Sequence, residues 1–336
     1  MSIKFFKWPN RFSCFCPKRA CLWLSALFYI VFLAILLYVF TQTPAPQNFP
    51  KQDTIVSIPA GLSIEEAGNI LADKHIIKNA KLFSLWTSFR YKQIKAGDYM
   101  FKSPETMWTV SKRVANGAHG LVPVKILIKE GETRVQIANN LASKLYNFNP
   151  DKFLLITEGK EGFLFPDTYI FLPNASEEQV AKVLIDNFNK KIEKYAGDIE
   201  KSKMPLKDII NLASLVEREA RNEKDRRMIA GVLLNRLRIG MPLQVDVTWF
   251  YTHGKGTPGI TLEDLSDKDN PYNTYKHKGL PPSPIGSPGI SSIEAVLHPS
   301  KNPYLFYLAD KKGKTYYSRT YQEHLQKRNK YIKGQH

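Results

Sequence analysis

Two carboxylates, Glu217 and Glu219, interrupt the stretch PLKDIINLASLVEREA, whose apolar spacing predicts a packed helix. On a wheel of 100° per residue with Leu212 at zero, Ile209, Leu215, Val216 and Glu219 fall within about 60° of it. Glu219 therefore projects from the centre of the apolar stripe. Glu217 lies about 140° away, nearer Ala213 and Ile210, so the two do not face one another. A carboxyl group in apolar surroundings has its ionised form disfavoured. Its pKa rises and it stays protonated near neutrality, the state a general acid needs. The alternative, in which Glu219 simply pairs with a buried arginine or caps a backbone group, stays open at this stage.

The elements that would position such an acid begin with an anchor. At 336 residues the chain exceeds one average domain, so a tail or anchor plus two folded units is expected. The run CLWLSALFYIVFLAILLYVF, residues 21–40, has no charge and is long enough for a transmembrane helix. Lys4, Lys7, Arg11, Lys18 and Arg19 precede it and no positive charge lies in TQTPAPQNF after it. The positive-inside rule therefore makes residues 1–20 a cytoplasmic tail and places everything beyond outside. A cleaved signal peptide fits less well, because the apolar run is long and no A-x-A-like site follows. Cys14, Cys16 and Cys21 all lie in or beside the tail, so the exported part has no disulfide of its own and must be held by core packing. The formal charge of +17 favours an anionic neighbourhood: nucleic acid, a membrane surface or an acidic polymer. Nucleic acid is not the expected partner, since the topology puts the basic domains outside.

Residues 41–52, Pro-rich, read as an extended spacer. SIPAGLSIEEAGNILADK and LIKEGETRVQIANNLASK then align without gaps, pairing Ile58 with Ile128, Gly61 with Gly131, Ser63 with Thr133 and Leu71 with Leu141. Each copy reads as strand, glycine turn, Ser or Thr cap and amphipathic helix. Between them KNAKLFSLWTSFRYK reads as a helix, AGDYMF as a strand, and Ser103 with Pro104 as the opening of a helix through Val114. The expectation is a small LysM-like α+β domain over 53–148, acting either as a glycan binder or as a structural spacer. From 150 to 336 a mixed α/β unit with long loops follows. It contains the aromatic segment EGFLFPDTYIF, a helix from Ser176 to about Tyr195, two helices ending in Arg221 and Gly240, a Gly/Pro-rich stretch from Gly254 to Gly289, a hairpin in YLFYLADKKGKTYYSRT and a terminal helix.

Competing chemistries lack their motifs. The seven histidines form no H-E-x-x-H or His-x-His arrangement, no G-x-S-x-G elbow occurs, and GKGTPG lacks the Walker order. Cys14-Phe-Cys16 has no second pair at zinc spacing. No cofactor or metal is expected. A carboxylate-only site in an exported, anchored protein points towards glycoside cleavage.

The strings EGFLFPDTY, LASLVEREA, VLLNRLRIGMPLQVDVT and NPYNTYKHKGLPPSPIGSPG resemble the endolytic murein transglycosylase family, the MltG or YceG-like proteins, and the resemblance runs from the anchor to the C-terminal helix. It implies a bacterial inner-membrane enzyme that cuts nascent peptidoglycan strands between N-acetylmuramic acid and N-acetylglucosamine, leaves 1,6-anhydromuramyl ends, and works beside peptidoglycan synthases. The family's catalytic glutamate maps onto Glu219, and polar motif positions map onto Gln244, Asp246 and Asn273. Tyr272 and Tyr275 would offer sugar-stacking faces, Lys276 and Lys278 would meet peptide carboxylates, and Glu217 would flank the acid. Phe163 and Phe165 are read as core. One departure is visible: the usual proline after the aspartate is Val247 here, which bears on the local turn. Two other readings stay open, a catalytically silent glycan-binding scaffold and a lysozyme-like muramidase in which Asp246 activates water.

Overall fold

The computed structural model of the chain describes residues 18–254 and 259–333. Lys4, Lys7, Arg11, Cys14 and Cys16, which define the expected tail, lie outside the described residues. Helix α1 (Lys18–Gln42) contains the apolar run, and its segment Trp23–Gln42 is long and apolar enough to cross a membrane. Its large side chains, from Trp23 to Phe40, are exposed rather than packed. That is compatible with a single-pass anchor.

The following residues do not form the free extended spacer expected over 41–52. Thr43 is buried, its carbonyl accepts from Met107 N at 2.8 Å, and Phe49 packs against the neighbouring core. Lys78 Nζ donates to Thr41 O, and Asn79 Nδ2 to the Tyr38 hydroxyl. One apolar side chain and a few backbone groups needing partners suffice to fold the spacer onto the first unit.

The chain divides into two compact units, residues 1–121 and 122–336. In the first, β1 (Thr54–Ile58) pairs antiparallel with β2 (Gly97–Phe101), and α2 (Ile64–Asp73), α3 (Ala80–Arg90) and α4 (Met107–Asn116) complete the layer. Val56, Leu71, Phe83, Tyr99 and Val110 fill its core. Helix α4 starts later than Ser103: Thr106 caps it by accepting from Thr109 N, whereas the residue before Pro104 is biased away from helical geometry.

The second unit opens with β3 (Val124–Leu127), α5 (Arg134–Ala142), α6 (Pro150–Ile156), β4 (Thr168–Phe171) and α7 (Glu177–Glu193), around Ile126, Leu141, Phe153 and Leu184. Both copies of the repeat fold as read. Gly61 and Gly131 turn with φ of +87° and +78°, and Ser63 with Glu66 and Thr133 with Gln136 close matching capping boxes. The copies nevertheless fall in different units, so the expected domain over 53–148 is divided. The cause is pairing: β3 finds its partner in β4, which lies beyond that range.

A second core in this unit is all helical at its centre: α8 (Ala196–Ser202), α9 (Leu206–Glu219), α10 (Glu223–Arg238), α11 (Val247–His253), α12 (Leu262–Ser266) and α13 (Ile290–Leu297). Asn222 caps α10 as expected, and Gly240 follows its end at φ +66°. Ile209, Leu212, Leu215 and Val216 of α9 are fully buried, each contributing about 1.5–3 kcal/mol. Strands β5 (Phe306–Ala309) and β6 (Thr315–Ser318) form the expected hairpin, and α14 (Tyr321–Arg328) the terminal helix. All strand pairs among the described residues are antiparallel, so the second unit is α+β rather than α/β.

One glycine fixes how the hairpin reaches the site. At Gly231 in α10 a Cβ would collide with Ser300 O and the Asn302 side chain. The bare helix surface lets residues 300–304 lie across α10, where Ser300 N donates to Arg227 O and Asn235 Nδ2 to Asn302 O and Tyr304 O. The chain then enters β5 directly over the end of α9.

Candidate active site

Helix α9 ends at Glu219 because Ala220 turns extended, at φ −97° and ψ 141°. The apolar stripe locks the helix against α10 and α13, and its last residue delivers a carboxyl group to a cavity of about 480 Å³. Gln244, Asp246, Arg236, Tyr275 and Tyr307 share that cavity. The Tyr307 hydroxyl donates to Glu219 Oε2 at 3.1 Å.

Glu219 keeps some surface open to the cavity, yet protein atoms crowd its carboxyl. Burial pushes its pKa up to about 7, and the negative charge of Asp246 acts in the same direction. The Tyr307 hydrogen bond and the Arg236 guanidinium oppose this without cancelling it. The carbonyl end of α9, where Glu219 sits, also disfavours a negative charge. Near neutrality the group thus exchanges a proton readily in both directions, which suits a general acid that must afterwards serve as a base.

The walls are set by buried polar contacts. Arg236, 5% exposed, donates from Nε to Leu305 O and from Nη1 to Leu243 O, both at 2.6 Å, and stacks on Phe306. It joins the entry of β5 to the 243–246 segment, so one guanidinium fixes both sides of the acid. The Tyr275 hydroxyl donates to Asp246 Oδ1 at 2.6 Å. Burial raises the pKa of both tyrosines above the ordinary phenol value, so each remains a neutral donor.

Gln244 has a φ of +48°, uncommon for a residue with a side chain. Its backbone is held there by Gln244 N to Thr274 O and Val245 N to Thr274 Oγ1, both 3.0 Å. Asp246 follows at the start of α11, and Val247 is its first helical residue. A proline is well suited to that first helical position, and Val247 occupies it here as the opening residue of the helix.

The expected site residues separate into two groups. Glu219, Gln244 and Asp246 meet in one cavity, with Tyr275. Asn273, Tyr272 and Glu217 do not line it. Asn273 is buried and staples its loop, donating to Asp267 O at 2.6 Å and accepting from Tyr275 N at 3.0 Å. Tyr272 shares a hydrogen bond with Ser283 Oγ at 2.7 Å and packs its ring on Tyr251. Glu217 accepts from Gly289 N at 2.9 Å and from Arg226 at 3.2 Å, tying α9 to α10 and to the start of α13. Lys276 and Lys278 are exposed outside the cavity, while Phe165 is core and Phe163 packs on Phe188. Sequence reasoning missed Tyr307 and Arg236. Arg236 carried a signal, a cation in phase with the apolar Val232 and Leu233 of α10. Tyr307 carried none beyond its place in a hairpin.

The fold and site thus define an α+β protein with one poised carboxyl acid in an open polar cleft. The chain belongs to the YceG-like family, which matches residues 56–330. It is 33% identical to the endolytic murein transglycosylase of Bacillus subtilis (strain 168), over 84% of this chain and 86% of that protein. It is 28% identical to the endolytic murein transglycosylase of Streptococcus pneumoniae (strain D39), over 88% of this chain but 63% of that longer protein. Among solved structures, a yceG-like protein from Listeria monocytogenes is 35% identical, with a TM-score of 0.57 over 82% of this chain and 99% of that one.

Proposed function

We propose that the chain is a membrane-anchored endolytic murein transglycosylase with Glu219 as its acid and base. The observation that carries this reading is the Glu219 carboxyl, raised to a pKa of about 7 and held by Tyr307 in the cavity. Protonated Glu219 donates to the glycosidic oxygen as the bond to C1 of N-acetylmuramic acid breaks, and the N-acetylglucosamine side leaves with a free hydroxyl. The carboxylate so formed takes the proton from the 6-hydroxyl of the same muramic acid as that oxygen attacks C1, closing the 1,6-anhydro ring and restoring the acid. No water is consumed. Gln244 and Asp246, on the wall beside Glu219, orient the muramic acid, and Tyr307 keeps the carboxyl on its proper rotamer. The N-terminus lies in the cytoplasm and the folded units outside the inner membrane, where nascent strands and their synthases are. The strand–turn–helix repeat, LysM-like in pattern, adds glycan contacts.

One observation favours a second reading. Asp246 lines the same cavity as Glu219, as a muramidase that activates water would require. Product mass separates the two, because anhydro ends weigh one water less than reducing ends. Full-length protein acting on uncrosslinked strands is expected to give anhydro ends, and Glu219→Gln to give none while still binding glycan. Reducing ends from the wild type establish the muramidase, undiminished activity of Glu219→Gln removes Glu219 from the mechanism, and a wild type that binds glycan without cutting it leaves the scaffold reading.

A further inference from the structure

Glu217, Arg218 and Glu219 are consecutive, and the helix turns each to a different place. Glu217 is consumed by Arg226 and the α13 terminus, and Glu219 enters the catalytic cavity. Arg218 does neither. It borders two further cavities, one of about 410 Å³ against the Lys129–Glu132 turn and one of about 680 Å³ against Thr133, Glu161, Phe250 and Tyr251.

Arg218 is half-buried and makes no hydrogen bond or ion pair among the described residues. Burial alone acts on its pKa, lowering it, and no neighbouring anion offsets that cost. The adjacent carboxylates are committed elsewhere: Glu217 as above, and Glu161 to Arg134 N at 3.0 Å and to the Tyr251 hydroxyl at 3.1 Å. The Arg218 stem rests near Gly131. A guanidinium brought half out of water with its fork unused is preorganised for a planar anion. The smaller cavity carries Glu130 and Glu132 and repels one. The larger carries one carboxylate, Glu161, which faces the Arg134 guanidinium at 3.9 Å and is already hydrogen-bonded, and it presents Arg218, Gln136 and the rings of Phe250 and Tyr251, so a carboxylate carried on a sugar or peptide enters there.

Helix α11 links this cavity to the catalytic one. Asp246, at its start, lines the first, and Tyr251 and Gly254 line the second. Tyr251 lies five helical steps beyond Asp246, about 8 Å along the axis, within reach of the substituents of a sugar bound next to Glu219.

We propose that the cavity bordered by Arg218, Gln136, Phe250 and Tyr251 is a carboxylate-recognising subsite that takes the peptide stem of the murein strand beside the bond to be cut. It rests on the transglycosylase reading of Glu219. Two sources of carboxylate exist on such a strand, the stem peptide and, once that is removed, the lactyl group of muramic acid.

The test uses full-length Glu219→Gln in detergent, which does not consume its ligand, and measures binding of three purified probes by calorimetry. These are a neutral N-acetylglucosamine oligomer, a disaccharide stripped to its lactyl carboxylate, and the same disaccharide bearing a tetrapeptide. Adding Arg218→Gln is expected to weaken the tetrapeptide form at least tenfold and to leave the neutral oligomer unchanged. Arg218→Lys, which keeps the charge and loses the fork, is expected to fall between. Thermal unfolding of each variant confirms that the fold is intact. An equal loss with the stripped disaccharide overturns the stem assignment, and undiminished or undetectable binding of the tetrapeptide form overturns the subsite. Failure of the wild type to make anhydro ends sinks the transglycosylase reading separately and does not alter the outcome of these titrations.

Discussion

Replacing Glu219 by glutamine is expected to stabilise the protein, and only above a definite pH. The folded-state pKa of about 7 exceeds the ordinary 4.5, so between these values the folded chain binds more protons than the unfolded one. The contribution of Glu219 is therefore fully favourable below about pH 4.5 and is lost as the pH rises through about 7. At about 1.4 kcal/mol per pKa unit, the distance between the two values sets a ceiling of roughly 3 kcal/mol. Because the carboxyl opens onto a cavity, solvent reduces this, and about 1–3 kcal/mol is expected. Glutamine has nearly the same shape and never ionises. The Gln-minus-Glu difference in unfolding free energy should thus be near zero at pH 4, grow through pH 5–7 and level off by pH 8. A difference of this size raises the melting temperature by about 2–4 °C per kcal/mol for a unit of this length. Denaturant unfolding of the full chain in detergent at matched pH values measures it, since everything common to the two proteins cancels. A difference independent of pH, or one that shrinks as the pH rises, refutes the raised pKa and with it the poised acid.

Two further outcomes follow from contacts near the site. Tyr307→Phe removes the donor that favours the Glu219 carboxylate, so the pKa of Glu219 rises further; the alkaline limb of the pH–rate profile should move up by up to about one unit and the rate fall about tenfold, and a limb that stays put or moves down contradicts the assigned hydrogen bond. Gly231→Ala adds a good helix former inside α10 yet drives a Cβ into Ser300 O. Net destabilisation of about 1–3 kcal/mol in a thermal melt is expected, whereas a gain would mean that residues 300–304 yield easily.

Wherever one element decides its own structure, the sequence was a good guide. The capping boxes at Ser63 and Thr133, the apolar phase of α9 and the hairpin at β5 and β6 are local patterns, and each folds as its spacing predicts. The catalytic candidate was legible for the same reason, since a carboxyl in phase with Leu212 and Val216 must enter whatever packs on that stripe. Long-range partners were not legible. Nothing near Val124 announces that β4, some forty residues on, completes its ladder, so the second repeat was assigned to the wrong side of the unit boundary. Asn273 and Tyr272 stand in a motif beside Thr274 and Tyr275, but alternate residues of a tight loop point apart, and only Tyr275 reaches the cavity. Tyr307 enters from far along the chain by way of the path Gly231 permits.

The last turn of α9 works as a rotary selector. Three neighbouring side chains are sent to three destinations by nothing more than the 100° step between them. Deleting or inserting a single residue between Leu206 and Val216 would advance the whole selector by one position. The acid would then point to another wall, and Arg218 after an insertion, or Ala220 after a deletion, would stand in its place. No exchange of side chains at 217, 218 or 219 alone repairs such a change, because the buried apolar residues between the change and Val216 are turned out of phase with the rest of the stripe. In this turn, the number of residues matters more than which residues they are.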